Sequence, residues 1–489
     1  MKAGKITVNE LFSGIGAQIS ALERLGIPCE IKHTSDIDHN AVLAYASIHC
    51  GLTEELINTY AEYPTREEMA RQLTEINLGY DFQKNKTYNW YRLIKSKSKE
   101  LEKYWLANKL SRNLGDISKL EHLDYADFWT YSFPCQSVSV SGKQEGIIKG
   151  KTRSGLLYEV QRLLEKADKM LALPKYLMLE NVKNLVGKKF KPQFDEWVAW
   201  LDELGYNTYW RVLNAKDYGV PQNRERVFAI SIRKDIDDGK FEFPQPFDNG
   251  VRLKDVLEDN VDEKYYLTDT MIRGFIKHNE NHTAKGTGFI WKPRDVNGTA
   301  STLRANGALA PTDNTILETN RCIQVGNLNY YNYDKMNRVY SKGGCSPALE
   351  IMQGGNRQPK IAEPIAYVKE AAKKGYAEIY EGDSVNLEQP NSKTRRGRVG
   401  KGCVQTLTTS CNQAVIEPEA KSFRVRKLTP RECYRLMGFT DEQFDRSQAF
   451  SSDSQLYKQA GNSIVVDVLY YIFGKLFEVD TETRKETKC

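Results

Sequence analysis

Ser132-Phe133-Pro134-Cys135-Gln136-Ser137 places a thiol directly after an apolar run and before a small, polar stretch, VSVSGKQEGIIKGKTRSG. A strand's C-terminal end at the mouth of a loop is where a nucleophile meets its substrate. Most cysteines are inert small hydrophobes. A free thiol of pKa about 8.5 is also only a few per cent ionised near neutrality, so nucleophilic work needs positive potential nearby. Two clusters supply candidates. Glu180-Asn181-Val182 closes the apolar run KYLMLE, where partial burial would keep a carboxyl protonated. Pro221-Gln222-Asn223-Arg224-Glu225-Arg226 enters another strand, and alternation sets Gln222, Arg224 and Arg226 on one face. Taken singly, the glutamate reads as a helix cap or surface acid and the arginines as a solvated strand end. Three such clusters at successive strand ends point to one site.

A second group suits a nucleotide-like cofactor. Phe12-Ser13-Gly14-Ile15-Gly16 lies where the first strand meets the first helix, so a ligand could approach the backbone and the free N–H groups of a helix N-terminus. The third glycine of the dinucleotide fingerprint is missing, and a glycine turn alone is weak evidence. Asp36 and Asp38, at the end of the second strand, follow the glycines by about 20 residues, the place for an acid that holds a ribose hydroxyl pair. Asp116, in a Gly-Asp-Ile expected to end the next strand, adds an acceptor suited to an adenine amino group. The ordinary role of each aspartate is a cap or a turn.

Positioning these groups requires strands and helices in alternation. Residues 5–12 read as a buried strand, AQISALERLGI as a helix, CEIKHTSDID as a second strand and NAVLAYASIHC as a second helix. This rhythm predicts an α/β fold with a doubly wound, mostly parallel sheet. From 53 to 112 the pattern breaks into charged helical segments whose signs alternate, read as a solvated insertion decorating the sheet. Strand and helix signals resume with LGDISKL (114–120) and continue through DFWTYSF, SGLLYEVQRLLEKADKML, KYLMLE, FDEWVAWLDELGY, NTYWRVLNA and RERVFAISI. Residues 233–423 then turn Gly-, Asn- and Tyr-rich, as an irregular β-rich domain would. Helix returns at LTPRECYRLMGF (428–439), with Thr429 as cap and Pro430 as first helical residue, and at the apolar SIVVDVLYYIFGKLF (463–477). Three partial copies of Gly-[Thr/Cys]-x-x-[Ala/Thr]-Leu begin at Gly298, Gly344 and Gly402. They are either related β units or chance likeness among hairpins.

Composition excludes more than it selects. The chain has 489 residues, 27% charged and 40% hydrophobic, enough for a large core and on length alone for about three domains. No apolar run approaches a membrane span, and the start, MKAGKITVNELF, is too polar for a signal peptide, so a soluble cytoplasmic protein is expected. Nine scattered cysteines without Cys-x-x-Cys argue against disulfides and structural zinc, and no metal is expected. A net charge of +6 permits a nucleic-acid partner without demanding one.

Phe-Ser-Gly-Ile-Gly, Pro-Cys-Gln, Glu-Asn-Val, Gln-x-Arg-x-Arg, Arg426-Lys427-Leu428-Thr429-Pro430-Arg431-Glu432-Cys433 and Gly461-Asn462-Ser463-Ile464-Val465-Val466 follow one another in an order and spacing that resembles the DNA (cytosine-5)-methyltransferase family, of bacterial or phage type. The likeness covers roughly 1–52, 113–232 and 424–477. It implies a catalytic domain over 1–232, a target recognition domain over 233–423, and a C-terminal segment, 424–489, returning to the catalytic domain. It also implies S-adenosyl-L-methionine as methyl donor, held by Phe12, Gly14, Ile15, Gly16, Asp36, Ile37, Asp116, Ile117 and Asn462. Ile37 departs from the aromatic residue often found there. Cys135 would add to carbon 6 of a flipped cytosine, Glu180 would hydrogen-bond or protonate N3, and Arg226, with Arg224 beside it, would hold O2, making carbon 5 nucleophilic.

The same resemblance makes Gln136, Ser139 and Ser141 part of a closing loop that reaches DNA. It assigns sequence reading to 233–423, where Asn391–Gly402 carries five positive charges, among them Arg395, Arg396 and Arg398. Double-stranded DNA is the expected partner of a monomer, with a restriction endonuclease admitted as a companion. Methylation of tRNA and an inactive DNA-binding homologue are the alternatives. The large variable region favours duplex DNA over the first, and retention of Cys135, Glu180 and Arg226 argues against the second.

Overall fold

The computed structural model describes residues 5–481 apart from 82–83, 136, 140–143, 287, 306–308 and, between 319 and 423, everything outside short strands. It has two compact units. One comprises Met1–Tyr265, Gly274–Thr315 and Lys427–Cys489, the other Tyr266–Arg273 and Ile316–Arg426. The stretch 233–423 is thus shared: 233–265 and 274–315 cluster with the first unit.

The first unit is built on β1 (Ile6–Leu11), β2 (Cys29–Ser35), β3 (Phe128–Tyr131), β4 (Tyr176–Val182), β5 (Tyr206–Asn214) and β7 (Glu225–Arg233), in the order β2-β1-β3-β4-β7-β5. A two-residue β6 (Gln222–Asn223) precedes β7 and pairs in parallel with β8 (Ala300–Ser301). The pairs β1–β2, β1–β3 and β3–β4 are parallel, whereas β7 is antiparallel to both β4 and β5. The sheet is therefore mostly parallel, as expected. From β1 the chain goes one way to β2 and the other way to β3, and such a reversal opens a crevice beyond the strands' C-terminal ends.

Period-2 alternation gives the sheet two buried faces. Trp129 and Tyr131 of β3 enter a core with Leu163 and Leu164 of α6 (Leu157–Lys169) and Phe194, Trp197 and Leu201 of α7 (Lys191–Glu203). Phe128, between them in register, meets the edge of Phe473 in the last helix, α12 (Val466–Leu476), at 5.4 Å. An Arg24–Asp467 ion pair of 2.9 Å ties that helix to α1 (Ala17–Leu25). The chain's two ends thus cover the same face.

Residues 53–112 correct the reading of a solvated decoration. Beyond α2 (His39–His49) they form α3 (Glu54–Thr59), α4 (Arg66–Glu75) and α5 (Glu100–Leu110), with Thr53 and Thr65 as N-caps. Met69, Leu73, Trp90, Leu101 and Leu106 make a core of their own with Val42 and Leu43 of α2. The alternating charges lie on the outer faces, and the apolar positions between them were the stronger signal. LGDISKL is a second correction. No strand forms there: Asn113 makes a single bridge to Thr34, and Ile117–Lys119 is one turn of 3-10 helix capped by Asp116.

Among the described residues the helix that follows α8 (Asp269–Lys285) is α9 (Pro430–Leu436), capped by Thr429 in a reciprocal box with Glu432, as the sequence pattern indicates. It is followed by α10 (Asp441–Gln448) and α11 (Asp453–Asn462). The Gly298 copy of the partial repeat lies in the first unit, where Thr302 Oγ1 donates to the Asn223 carbonyl and Leu303 N donates to Gln222 Oε1. The copies beginning at Gly344 and Gly402 lie outside the described residues. Among the described residues the second unit has short strands, including Gln324–Asn327, Arg338–Ser341 and Lys360–Ala362 in one small sheet and Ser384–Asn386, Val399–Gly400 and Gln413–Val415 in another.

Candidate active site

One cleft of about 960 Å³ in the first unit is lined by Cys135, Glu180, Arg224, Arg226, Phe12, Gly14, Ile15, Asp36, Ile37, Asp116, Ile117 and Asn462. It lies beyond the ends of β1, β2, β3 and β4, where the strand reversal opens the sheet. Gly16 stands behind the wall as N-cap of α1, at φ 79°. A Cβ there would sit 2.6 Å from the His49 ring, so glycine meets both a left-handed backbone and a close approach.

The glycine turn is held by Asp36. Its carboxylate accepts from Gly14 N at 2.9 Å and from Asp38 N at 2.8 Å. Burial, followed by the charge of Asp38, pushes its pKa up to about 6. Asn113 fixes the Asp36 backbone from both sides, accepting from its N–H and donating to its carbonyl. Asp38 caps α2 through Asn40 N and receives Lys458 Nζ at 2.6 Å. The aspartates therefore do have the capping and turn roles usual for their type. A carboxylate has about four acceptor sites, so Asp36 and Asp116 keep capacity for a ligand.

At the other end, Asn181 Nδ2 donates to the Phe133 carbonyl, Ser154 Oγ to the Pro134 carbonyl and Asn184 Nδ2 to the Val138 carbonyl. Val138 N and Ser139 N close a turn on the Cys135 carbonyl at 3.0 and 2.8 Å. These bonds fix the backbone that carries the thiol. Burial, followed by the charge of Glu180, raises the Cys135 thiol, while Arg226 and Arg224 pull it down. Glu180 is itself raised by burial against the pull of the same two arginines. Arg226 Nε approaches Glu180 Oε1 to 3.2 Å. We take the burial cost to prevail, which leaves Glu180 a weak acid.

Arg224 and Arg226 diverge. The guanidinium of Arg224 is buried and donates to the carbonyls of Leu303, Gly461 and Ser463 at 3.3, 3.1 and 2.7 Å. It clamps the C-terminal segment beside β7 rather than reaching for the thiol. Gly461 lies so close to that clamp that a Cβ would stand 2.5 Å from Ala305 N and from the Arg304 carbonyl carbon. Gly461→Ala is therefore expected to cost about 1–3 kcal/mol of stability, seen as a lowered Tm; an unchanged Tm would refute this close packing.

The model of the C-5 cytosine-specific DNA methylases matches residues 82–478. A type II methyltransferase of Lactococcus lactis subsp. cremoris, M2.ScrFI, is 34% identical over 97% of this chain and 99% of its own. The chain belongs to this family. The orphan methyltransferase M.SPBetaI of Bacillus phage SPbeta is 29% identical over 99% of this chain and all of its own. The orphan methyltransferase M.SssI of Spiroplasma monobiae is 37% identical over 55% of this chain and 69% of its own.

In this methyltransferase the expected DNA-contacting residues Gln136, Ser141, Arg395, Arg396 and Arg398 lie outside the described residues, and of that group only Ser139 is placed, in the turn after Cys135. Among the described residues no group of side chains has the makings of a metal site, and no helix is long and apolar enough to cross a membrane. Sequence reasoning missed the wall built by the insertion, where Gly79, Tyr88 and Arg92 line the cleft. It also missed Lys458 and the Asn113 clasp. Asn181 was legible in Glu-Asn-Val; the others carry no local signature, because their partners are distant in the chain.

Proposed function

We propose that this DNA methyltransferase methylates carbon 5 of a cytosine flipped out of duplex DNA, with Cys135 as nucleophile and S-adenosyl-L-methionine as donor. The observation that carries this reading is the convergence of Cys135, Glu180 and Arg226 with the glycine turn, Asp36 and Asp116 on one cleft. The cleft fits such a donor. It has the volume for a nucleoside-sized ligand, and Ser132 Oγ and Gln455 Oε1, both on its wall, are buried without a hydrogen-bond partner. Asp36 would take ribose hydroxyls and Asp116 the adenine amino group, against the apolar faces of Phe12, Ile37 and Ile117, with Asn462 closing the rim. When bound, the donor supplies an electrophilic methyl group.

The chain's own residues prepare the base. The Cys135 sulfur, its proton released, forms a bond to carbon 6, and the displaced electron pair moves through the ring toward N3; loss of the carbon 5 proton after methylation expels the sulfur and restores the ring. Glu180, its carboxyl raised by burial, gives N3 a proton or a hydrogen bond, and Arg226 holds O2. As Glu180 passes its proton across, Arg226 stays beside the carboxylate left behind. Tightening of these contacts around a base offsets the thiol's burial. The short-stranded second unit and the cationic run around Arg395–Arg398 would read the target sequence.

Incubation with tritium-labelled S-adenosylmethionine and duplex DNA, followed by bisulfite mapping, tests the proposal. Label at carbon 5 of cytosine within a recurring sequence is expected. No label in DNA would overturn it, and label in RNA alone would replace DNA with RNA as substrate.

A further inference from the structure

The strap Ile76-Asn77-Leu78-Gly79 leaves the end of α4 and is tied at every residue. The Ile76 carbonyl accepts from Asp116 N at 2.9 Å. Asn77 Nδ2 donates to Asp116 Oδ2 at 2.8 Å. The Leu78 carbonyl accepts from the buried Trp90 indole at 2.9 Å. Gly79 N donates to the Ile37 carbonyl at 2.7 Å. Four consecutive residues of the insertion thus bridge the two places, Ile37 and Asp116, between which the proposed nucleoside would lie. Gly115 shows how close the strap runs, since a Cβ there would collide with the Ile76 carbonyl.

Asn77 is the informative member. It holds a left-handed backbone at φ 56°, a conformation that asparagine tolerates better than most residues. Thr87 Oγ1 donates to Asn77 Oδ1 at 3.2 Å, which fixes which end of the amide faces Asp116. The other oxygen of Asp116 accepts from Ser118 N and Ser118 Oγ at 2.9 and 2.7 Å. The carboxylate is therefore gripped from two sides, one grip coming from the insertion, while its edge still lines the cleft.

We infer that Asn77, from behind the wall, is a positioning residue that aims the Asp116 carboxylate at the exocyclic amino group of the bound nucleoside, so that the insertion sets the preference for adenine over a 6-oxo purine. This rests on the proposed function's placement of the donor. An amino group donates to a carboxylate, whereas a 6-oxo group sets an acceptor against an acceptor. Discrimination depends on the carboxylate standing in place, because a loosely held one swings to water.

The test uses S-adenosylhomocysteine and S-inosylhomocysteine as probes, titrated calorimetrically into the full chain. Asn77→Gly keeps the left-handed backbone accessible and removes only the amide. The wild-type protein is expected to prefer the adenine compound. In Asn77→Gly, affinity for the adenine compound should fall about three- to tenfold, with little change for the inosine compound. Thr87→Val should move the ratio the same way by less, which serves as the check if Asn77→Gly folds poorly. An unchanged ratio, or equal losses for both compounds, would overturn the inference while leaving the donor site in place. Failure of the wild-type protein to bind either compound would instead overturn the donor reading beneath it.

Discussion

Replacing Cys135 by serine is expected to abolish methyl transfer, by roughly 10⁴-fold or more, with duplex binding retained. The thiol lines the same cleft as Glu180 and Arg226, and its carbonyl is fixed by Val138 N and Ser139 N, bonds that a serine backbone would keep. The substitution changes one atom and its acidity. Burial and Glu180 already raise the thiol, so ionisation is costly at rest. An alcohol is a far weaker acid than a thiol, and burial raises the Glu180 carboxyl that lines the same cleft. Serine therefore has no route to a competent nucleophile. Single-turnover transfer of labelled methyl and a gel-shift titration of the same duplex separate chemistry from binding. Transfer within about tenfold of wild type would remove Cys135 from the nucleophile's role.

The same geometry explains what was legible in the sequence. Pro134-Cys135 follows β3 and Glu180-Asn181-Val182 ends β4, neighbouring parallel strands, so local runs ending in polar residues suffice to place them on one edge. Asp116 was placed on a strand that does not form, because Leu-Gly-Asp-Ile-Ser has the apolar spacing of a strand end. Its backbone is instead fastened to Ile76, 40 positions earlier, and no period in a sequence announces such a contact. The insertion's core is hidden from the sequence for a related reason. Its charges alternate visibly, but Trp90 and Trp105 are buried in a core drawn from α2, α3, α4 and α5. Arg224 and Arg226 share a sequence motif and diverge only in space, since what captures Arg224 is the returning segment at Gly461 and Ser463. Local pattern fixed the strand ends; long-range closure decided which side chains face the substrate.

Glu180→Gln is expected to lower the transfer rate by about 10²- to 10⁴-fold, and to shift thiol ionisation downward in pH. Glutamine can still donate a hydrogen bond to N3 but carries no proton to give. Burial raises the Glu180 carboxyl, so the folded site holds its proton more tightly than the unfolded chain. The resulting stability is present below the ordinary carboxylate range and is lost as pH rises through the raised value. The wild-type rate carries a limb that falls over the same rise, because the acid form is the working form. Glutamine abolishes both dependences. In the pH range where the Glu180 carboxyl is ionised, glutamine also lacks the charge that raises the Cys135 thiol, leaving Arg226 and Arg224 to pull it down. The pH midpoint for alkylation of Cys135 by iodoacetamide should therefore be lower in the variant, even as methyl transfer collapses. Faster alkylation with slower methylation separates ease of ionisation from transition-state proton donation, and an unmoved or higher midpoint would mean that Glu180 does not act on the thiol electrostatically.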